Sequence, residues 1–477
     1  MTAVAEGWTP ILPYAILAGG ALAVFLAASL TKGRPSRVFA PISLLCALGA
    51  GLAALCAAPQ AGIFAGTLDA GPFARFYQIL TCGLTAGAIL LLGGYSRRRG
   101  FERDELYALT LLAALGMCLL TAAVDWVILF LGLEMLSISL YVIIAAHKDA
   151  PQAAEAALKY FVLGAVASSF LLFGIALVYA ATGETGVAES LRDAAQHGME
   201  GIALLGFSCI LVGLGFKISL APFHLWTPDV YQGAPAPVTA FLSTGSKVAV
   251  FAALLRMALS ESPLFARMDP VLWTLAALTM TAAPLGAMTQ PSVKRMLAYS
   301  SAGHMGYLFM ALLAAPIAGP GPIMFYSAVY GIMDMGAFGA LSTLSPLDRD
   351  ADDIMDFRGM GFDRPYAAGA LALCLLTLAG LPPTAGFTGK FFLFESALSA
   401  GYVWLAVIGV ISAIISVYYY LRVLAAMYMR APEWAPARES APGSYAVLAL
   451  ACAGALALGL LPAPVLSVMA ASAPFTP

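Results

Sequence analysis

Residues 217–247 read KISLAPFHLWTPDVYQGAPAPVTAFLSTGSK. The stretch opens and closes on a lysine, sits between two long apolar runs, and is interrupted by Pro222, Pro228, Gly233, Pro235 and Pro237. Proline inside a helix removes a backbone hydrogen bond and clashes with the preceding turn, so a break is predicted within 220–237. A second stretch, LAGLPPTAGFTGK at 378–390, has the same character and also ends on a lysine. Backbone freed inside a bilayer must be buried in protein or line a wet cavity. If the chain spans a membrane, these two breaks mark its candidate pathway.

The rest of the sequence says that it does. Of 477 residues, 61% are hydrophobic and only 10% charged, against roughly 25% charged in a soluble domain. A soluble globular enzyme is excluded. A spanning helix needs about 20 mostly apolar residues, so this length allows roughly 14 to 16 spans and leaves little for an extramembrane domain. The formal net charge of −2 offers no basic surface to a nucleic acid. The seven cysteines lie singly in apolar runs without metal or disulfide spacing, so neither framework is expected. No positively charged region precedes the first apolar run, which therefore reads as a retained span rather than a cleaved signal.

Apolar runs fall at 11–30, 39–58, 73–94, 105–122, 124–146, 155–181, 201–227, 237–259, 270–290, 293–314, 319–342, 365–400, 402–429 and 443–464. They predict an all-α polytopic membrane protein of about 14 transmembrane helices. Lysine and arginine gather on one side of it: Lys32, Arg34, Arg37, Arg97, Arg98, Arg99, Arg103, Lys148, Lys294, Arg295, Arg349, Arg358, Arg364, Arg430 and Arg438. The other side has Arg192 and Arg267, with Arg75 at a span edge. The positive-inside rule then puts both termini outside. Run 7 carries the first break and is fourth of the five runs from 105 to 259; run 12 carries the second and is fourth of the five from 270 to 429. Five is odd, so such a repeat is inverted across the membrane. The expected organisation is a three-helix segment (1–104), two five-helix repeats (105–259 and 260–429) and a C-terminal helix (430–477).

Charges at membrane depth are costly and persist mainly where they face partners or water. Glu134, in FLGLEMLSISLY, is near the middle of run 5; it reads as a proton carrier, or more blandly as a neutral acid bonded to a neighbouring helix. Lys217 precedes the first break by one to two turns, and Lys247 is central in run 8, too far from either end to snorkel. Burial lowers a lysine's proton affinity, so either lysine can serve as a relay. Ser243 is expected on the same helical face as Lys247. Lys390 follows the second break; its bland role is to satisfy freed carbonyls there. In YSSAGHMGY, Ser300, His304 and Tyr307 share a helix face, and His304 is a relay or a packing residue. Lys159, Arg256 and Arg422 read as snorkelling cations. His224 and Asp229 read as ties across the first break, and His147 and His197 as bland loop-edge residues. Asp334, near the middle of run 11, has no evident role.

Residues 217–247 resemble, nearly residue for residue, the signature of the antiporter-like membrane subunits of respiratory complex I, NADH:quinone oxidoreductase. EAALKYFVLGAVASS (155–169), KRMLAYSSAGHMGY (294–307) and LAGLPPTAGFTGKFFLF (378–394) look like the same family, so the resemblance runs from about 105 to 429. Asp229-Val230-Tyr231 followed by Gly233-Ala234-Pro235 is similar to its N-type branch. The L-type branch adds a lateral C-terminal helix, and the M-type has a glutamate where this chain has Lys390. Many relatives carry glutamate where Gln232 stands, so that position receives no acidic role.

The resemblance implies a multi-pass subunit of the bacterial inner membrane with proton half-channels joined by a polar axis. By matching motif, Glu134 and Lys217 are the switching pair, Lys247 the connecting lysine and Lys390 the terminal carrier, with His304 on the axis. It implies no cofactor in this chain: FMN and iron–sulfur clusters are expected in partner subunits. Expected partners are the M-type sibling, small membrane subunits and the lipid bilayer. Three other readings compete: a subunit of a multisubunit sodium/proton antiporter, a lone inverted-repeat transporter, and a structural scaffold whose buried charges only pack.

Overall fold

A computed structural model describes residues 8–30, 37–58, 60–193, 199–260, 262–346, 349–431 and 442–470. Lys32, Arg34, His197 and Arg438 lie outside the described residues. The helices that dominate the chain are α1 (Leu12–Leu30), α2 (Phe39–Cys56), α3 (Pro72–Arg98), α4 (Glu105–Ala122), α5 (Trp126–Ile144), α6 (Pro151–Thr182) and α7 (Glu200–Lys217). There follow α8 (Ala236–Ala258), α9 (Asp269–Met288), α10 (Val293–Ala318) and α11 (Gly321–Leu344). The twelfth is split into α12a (Pro365–Ala379) and α12b (Ala385–Ser399), and the chain continues through α13 (Val403–Met429) and α14 (Pro442–Leu460). Among the described residues, thirteen helices are long and apolar enough to cross a membrane.

Local sequence accounts for many of the ends. Proline occupies the first turn of α3, α6 and α12a, where its missing N–H costs nothing. Asp125 caps α5 by accepting from the Val127 and Ile128 amides, and Ser292 caps α10 by accepting from the Arg295 amide. Gly132 in α5 and Gly116 in α4 face each other so closely that a Cβ added at Gly116 would lie 2.7 Å from the Gly132 carbonyl oxygen. Small residues let membrane helices approach this way, and here they fix α5 two residues from Glu134.

Several expected boundaries are corrected. The break in run 7 is predicted within 220–237, but α7 stops at Lys217 itself, and the break begins at once with Ile218 and Ser219. Run 12 is split into two fifteen-residue halves around residues 380–384, inside the stretch where its break is predicted. The last run ends at Leu460, and a separate helix follows at Pro462–Ala470. A short antiparallel hairpin, β1 (Gln60–Ile63) with β2 (Leu68–Ala70), interrupts the all-helical expectation; strands this brief carry too few residues to show a period of two.

The helices sort into centre and rim. The α8 window is 100% buried and that of α11 94%, whereas α2 and α14 are 28% buried. Rim helices turn large apolar side chains outward, as with Leu45, Leu52, Phe161 and Phe173, which suits lipid or neighbouring subunits. The polar residues singled out from the sequence concentrate on central helices. A polar group there has only protein to bond.

Candidate functional site

The first break begins with Lys217, whose helix ends just where its side chain must find company. It is 2% exposed. Its ammonium donates to the Tyr141 hydroxyl at 3.4 Å and lies 4.9 Å from the Tyr160 ring centre, 5.3 Å from Tyr141 and 5.7 Å from Phe216. Rings presented this way stabilise a cation through their quadrupole. Trp226, at the far end of the break, stacks on Tyr160 at 4.7 Å and donates its indole N–H to the Phe216 carbonyl at 3.0 Å. The break is closed further by Thr227, which donates to Ser219 at 2.8 Å, and by Thr279, which accepts the Ala221 amide at 3.0 Å.

Glu134, in α5, accepts from the Ser168 hydroxyl of α6. No ion pair joins it to Lys217; Tyr141, two turns along α5, stands on the lysine's side instead. The expected switching pair is therefore adjacent but not in contact. Their separate partners, Ser168 for Glu134 and Tyr141 for Lys217, were legible only as ordinary helix positions.

Lys247 follows a single π turn, Leu242–Ser246, a helix irregularity frequent at functional sites. It is fully buried, donates to Ser301 Oγ at 2.5 Å and lies 5.5 Å from the Tyr231 ring centre. Ser301 is 2.7 Å from the Tyr330 hydroxyl. Tyr330 can donate to the Ser243 carbonyl at 2.9 Å or to Asp334 Oδ2 at 3.3 Å. Sequence reasoning chose Ser300 from the serine pair, yet Ser300 bonds Tyr420 and Ser301 serves the lysine. The spacing of Tyr330 and Asp334, four residues apart on α11, was the available signal for their partnership.

His304 is 2% exposed, with Nδ1 2.7 Å from the Tyr326 hydroxyl and Nε2 3.1 Å from that of Tyr420. Its ring centre is 5.6 Å from Tyr330 and 5.8 Å from Tyr307. Tyr307 bonds Ser412 at 2.8 Å and receives Lys390 5.2 Å from its ring centre. The shared face of Ser300, His304 and Tyr307 thus turns toward α13. Lys390, 4% exposed, donates to the Leu378 carbonyl at 2.8 Å and the Ala379 carbonyl at 3.0 Å, so the carbonyl-satisfying role is occupied. Lys247, His304 and Lys390 form one row, linked by Ser301, Tyr330 and Tyr307. The Trp226–Tyr231 contact, ring centres 6.2 Å apart, lies between that row and the Lys217 cluster.

The remaining cations are largely paired. Arg256 does not snorkel: it is 2% exposed, pairs with Asp69 at 2.9 Å and covers the Phe73 ring at 4.8 Å. Lys159 lies two turns into α6 and bridges Glu155 and Asp229, each at 2.8 Å. Asp229 also takes Arg295 at 2.7 Å, tying the first break to α10. Arg422 donates to the Met288 carbonyl at 2.6 Å. Lys294 is not a free loop cation but a buried residue of the first turn of α10, paired with Asp350 at 2.8 Å. Lys159, Asp229, Arg295, Lys294 and Asp350 line a cavity of about 590 Å³ together with His147 and Arg99. Burial alone would push the Asp350 carboxyl up, but the Lys294 ammonium, the Tyr95 hydroxyl and Arg99 hold it below the ordinary carboxylate range. Among the described residues, no group of three or more histidine, cysteine, aspartate or glutamate side chains is arranged to hold a metal ion.

A helical membrane bundle with two broken helices and a row of buried lysines defines the antiporter-like transmembrane class. Residues 123–416, more than half of the chain, match the family described as NADH:quinone oxidoreductase/Mrp antiporter, transmembrane. The chain is 48% identical to NADH-quinone oxidoreductase subunit N 1 of Solidesulfovibrio magneticus, over 96% of this chain and 97% of that one. It superposes on a chain of respiratory complex I from Thermus thermophilus, solved with bound aureothin, with a TM-score of 0.82 at 36% identity, covering 96% of this chain and all of the other. A chain of the Mrp complex from Dietzia matches with a TM-score of 0.86 but 19% identity over 99% of this chain and 97% of that one, and shows the fold alone. The chain belongs to the NADH-quinone oxidoreductase subunit N family.

Proposed function

We propose that this chain is a proton-carrying membrane-arm subunit of a bacterial proton-translocating NADH:quinone oxidoreductase. The observation that carries the proposal is the buried row Lys247–Ser301–Tyr330–His304–Tyr307–Lys390, in which protonatable side chains follow one another through hydroxyls and rings. An isolated buried charge is expensive; three basic groups in sequence are retained most readily where a proton moves among them. In this reading Glu134 is the input. As its carboxylate moves toward or away from Lys217, that lysine's affinity for its proton rises or falls, and the change passes to Lys247, His304 and Lys390.

The same reading gives the chain fourteen spans, with inverted halves at 105–259 and 260–429 that each supply a half-channel, and both termini on the periplasmic side. It places the M-type sibling and small membrane subunits against the apolar rim. Flavin and iron–sulfur chemistry belongs to partner subunits, so this chain converts conformational or electrostatic change into proton movement without a redox step of its own.

The test is direct. The tagged chain, extracted in mild detergent, is expected to migrate with a large assembly that oxidises NADH, and Glu134→Ala or Lys217→Ala in that assembly is expected to lower NADH-driven proton pumping at least tenfold. Migration with small antiporter subunits, no NADH oxidation and sodium-dependent proton exchange would overturn the reading in favour of a multisubunit antiporter.

A further inference from the structure

Asp334 is the one acidic side chain in the middle of α11, 1% exposed, and it is bonded on one side only. Its Oδ2 is 3.3 Å from the Tyr330 hydroxyl, and its Oδ1 has no hydrogen-bond partner while the neighbouring Ser243 hydroxyl donates to the Ala240 carbonyl at 3.2 Å. A bare carboxyl oxygen in a dry interior is costly. A carboxyl retained under that cost calls for a use. The structure places one next to it: Tyr330 and Ser301 lead from Asp334 directly to the Lys247 ammonium.

We infer that Asp334 is a proton-carrying station paired with Lys247, exchanging its proton through Tyr330 and Ser301. The inference rests on the proton-carrying reading of this chain and adds to it a residue that gives the connecting lysine its own carboxylate. In the exchange, Lys247 gives one ammonium proton to Ser301 Oγ, Ser301 passes its hydroxyl proton to the Tyr330 oxygen, and Tyr330 passes its own to Asp334 Oδ2. The ammonium becomes an amine and the carboxylate an acid, while neither hydroxyl changes charge. The reverse sequence restores the starting state.

The geometry also supplies a gate. Tyr330 has a single hydroxyl hydrogen and two acceptors, the Ser243 carbonyl at 2.9 Å and Asp334 at 3.3 Å. With the hydrogen turned to Asp334 the wire from Lys247 is aligned; turned to Ser243, it is open-circuited. Rotation about one C–O bond separates the two states. The other titratable groups acting on this carboxyl are Tyr231 from the first-break segment, Cys374 of α12a and Tyr420 of α13, besides Tyr330 on its own helix and Lys247 on α8. Lys247 is the only cation in that set, so the proton on Asp334 and the charge on Lys247 titrate as a pair.

The experiment is redox-induced infrared difference spectroscopy on the assembled complex, with proton pumping measured on the same preparations. Asp334→Asn is expected to delete a carboxyl C=O band that changes on reduction with NADH, to lower pumping at least threefold and to alter its pH profile. Asp334→Glu is expected to return the band at a displaced frequency and to restore pumping in part. An Asp334→Asn complex that keeps every carboxyl band, the wild-type rate and the wild-type pH profile overturns the inference. Should Asp334→Asn lower assembly, Tyr330→Phe decides, because it keeps the carboxyl and cuts the wire: the redox response of the Asp334 band must vanish, and its persistence overturns the inference. Lys247→Met separates this failure from that of the broader reading. If it leaves pumping intact, the proton-carrying reading falls; if it abolishes pumping while Asp334→Asn does not, only the role of Asp334 falls.

Discussion

The two helix breaks meet the same problem by opposite means. At the first, side chains close the gap: Thr227 with Ser219, Thr279 with the Ala221 amide, and an aromatic stack of Tyr160, Phe216 and Trp226 that also receives Lys217. At the second, the lysine itself closes it, with Lys390 donating to the Leu378 and Ala379 carbonyls. Lys217 is thus free of backbone duty, and Lys390, under the proposed reading, adds backbone support to proton carrying. A proton carrier that also holds backbone in place cannot leave its position without exposing unpaired carbonyls, whereas one held by rings can give up its charge with little structural consequence.

The largest expected effect follows from that contrast. Both Lys217→Met and Lys390→Met are expected to abolish pumping, but only Lys390→Met should also reduce the amount of assembled complex. It strands two carbonyls at about 1–3 kcal/mol each, measurable as a lower thermal midpoint and a weaker band on a native gel. Equal assembly of the two variants would break the comparison.

A smaller effect is expected where the second break is tightest. Gly386 of α12b abuts the Thr377 carbonyl of α12a, with no room for a Cβ. Gly386→Ala should push the two halves apart and lower stability by about 1–3 kcal/mol, again read as a thermal shift. Ser219→Gly at the first break removes one hydroxyl bond and should cost about 1 kcal/mol, although Ser219 has a positive φ of 63° that glycine adopts more easily, which offsets part of the loss.

Next in size is the charged mouth of the first break. The Asp350 carboxyl is held below its ordinary value of about 3.9, so it contributes stability that is complete above that value and lost only as pH falls through the lower folded-state value. Backbone hydrogen exchange across residues 350–357, corrected for the intrinsic rate, should be constant from about pH 8 to pH 5 and rise below about pH 4. In Asp350→Asn the protection should be low throughout. A loss of protection between pH 8 and 6 would show that another group governs this segment. The smallest effect belongs to Tyr141→Phe. The ring stays, and only a 3.4 Å hydrogen bond to Lys217 goes, so pumping should fall by no more than about twofold if ring faces hold the cation.

Much of this architecture was legible along the chain because spanning helices announce themselves by length and apolarity, and the breaks by proline and glycine. The start of the first break was not: residues 214–219 read LGFKIS, a sequence with no breaker after Gly215, and the helix nevertheless ends at Lys217 because the loop folds back to stack Trp226 on Phe216. Buried cations were legible for the same reason that they are costly. Their partners were not, since Lys247 meets Ser301 and Arg256 meets Asp69 across helices far apart in sequence. Arg256 shows the consequence: near a helix end it reads as snorkelling, and only the tertiary fold brings the carboxylate that keeps it inside.

The π turn at Leu242–Ser246 bears on how this chain tolerates insertion and deletion. A π turn accommodates one residue more than an α turn, and each residue in a helix turns its side chain through about 100°. Removing one residue from 242–246 would let the helix relax to regular α geometry with the turns on both sides close to their original phase, whereas a deletion elsewhere in α8 would rotate one side against the other. One-residue deletions here should therefore be better tolerated than anywhere else in α8, which is buried along its whole length. The wide turn takes up a residue without turning the two halves of the helix against each other, much as an expansion joint takes up length between two fixed rails.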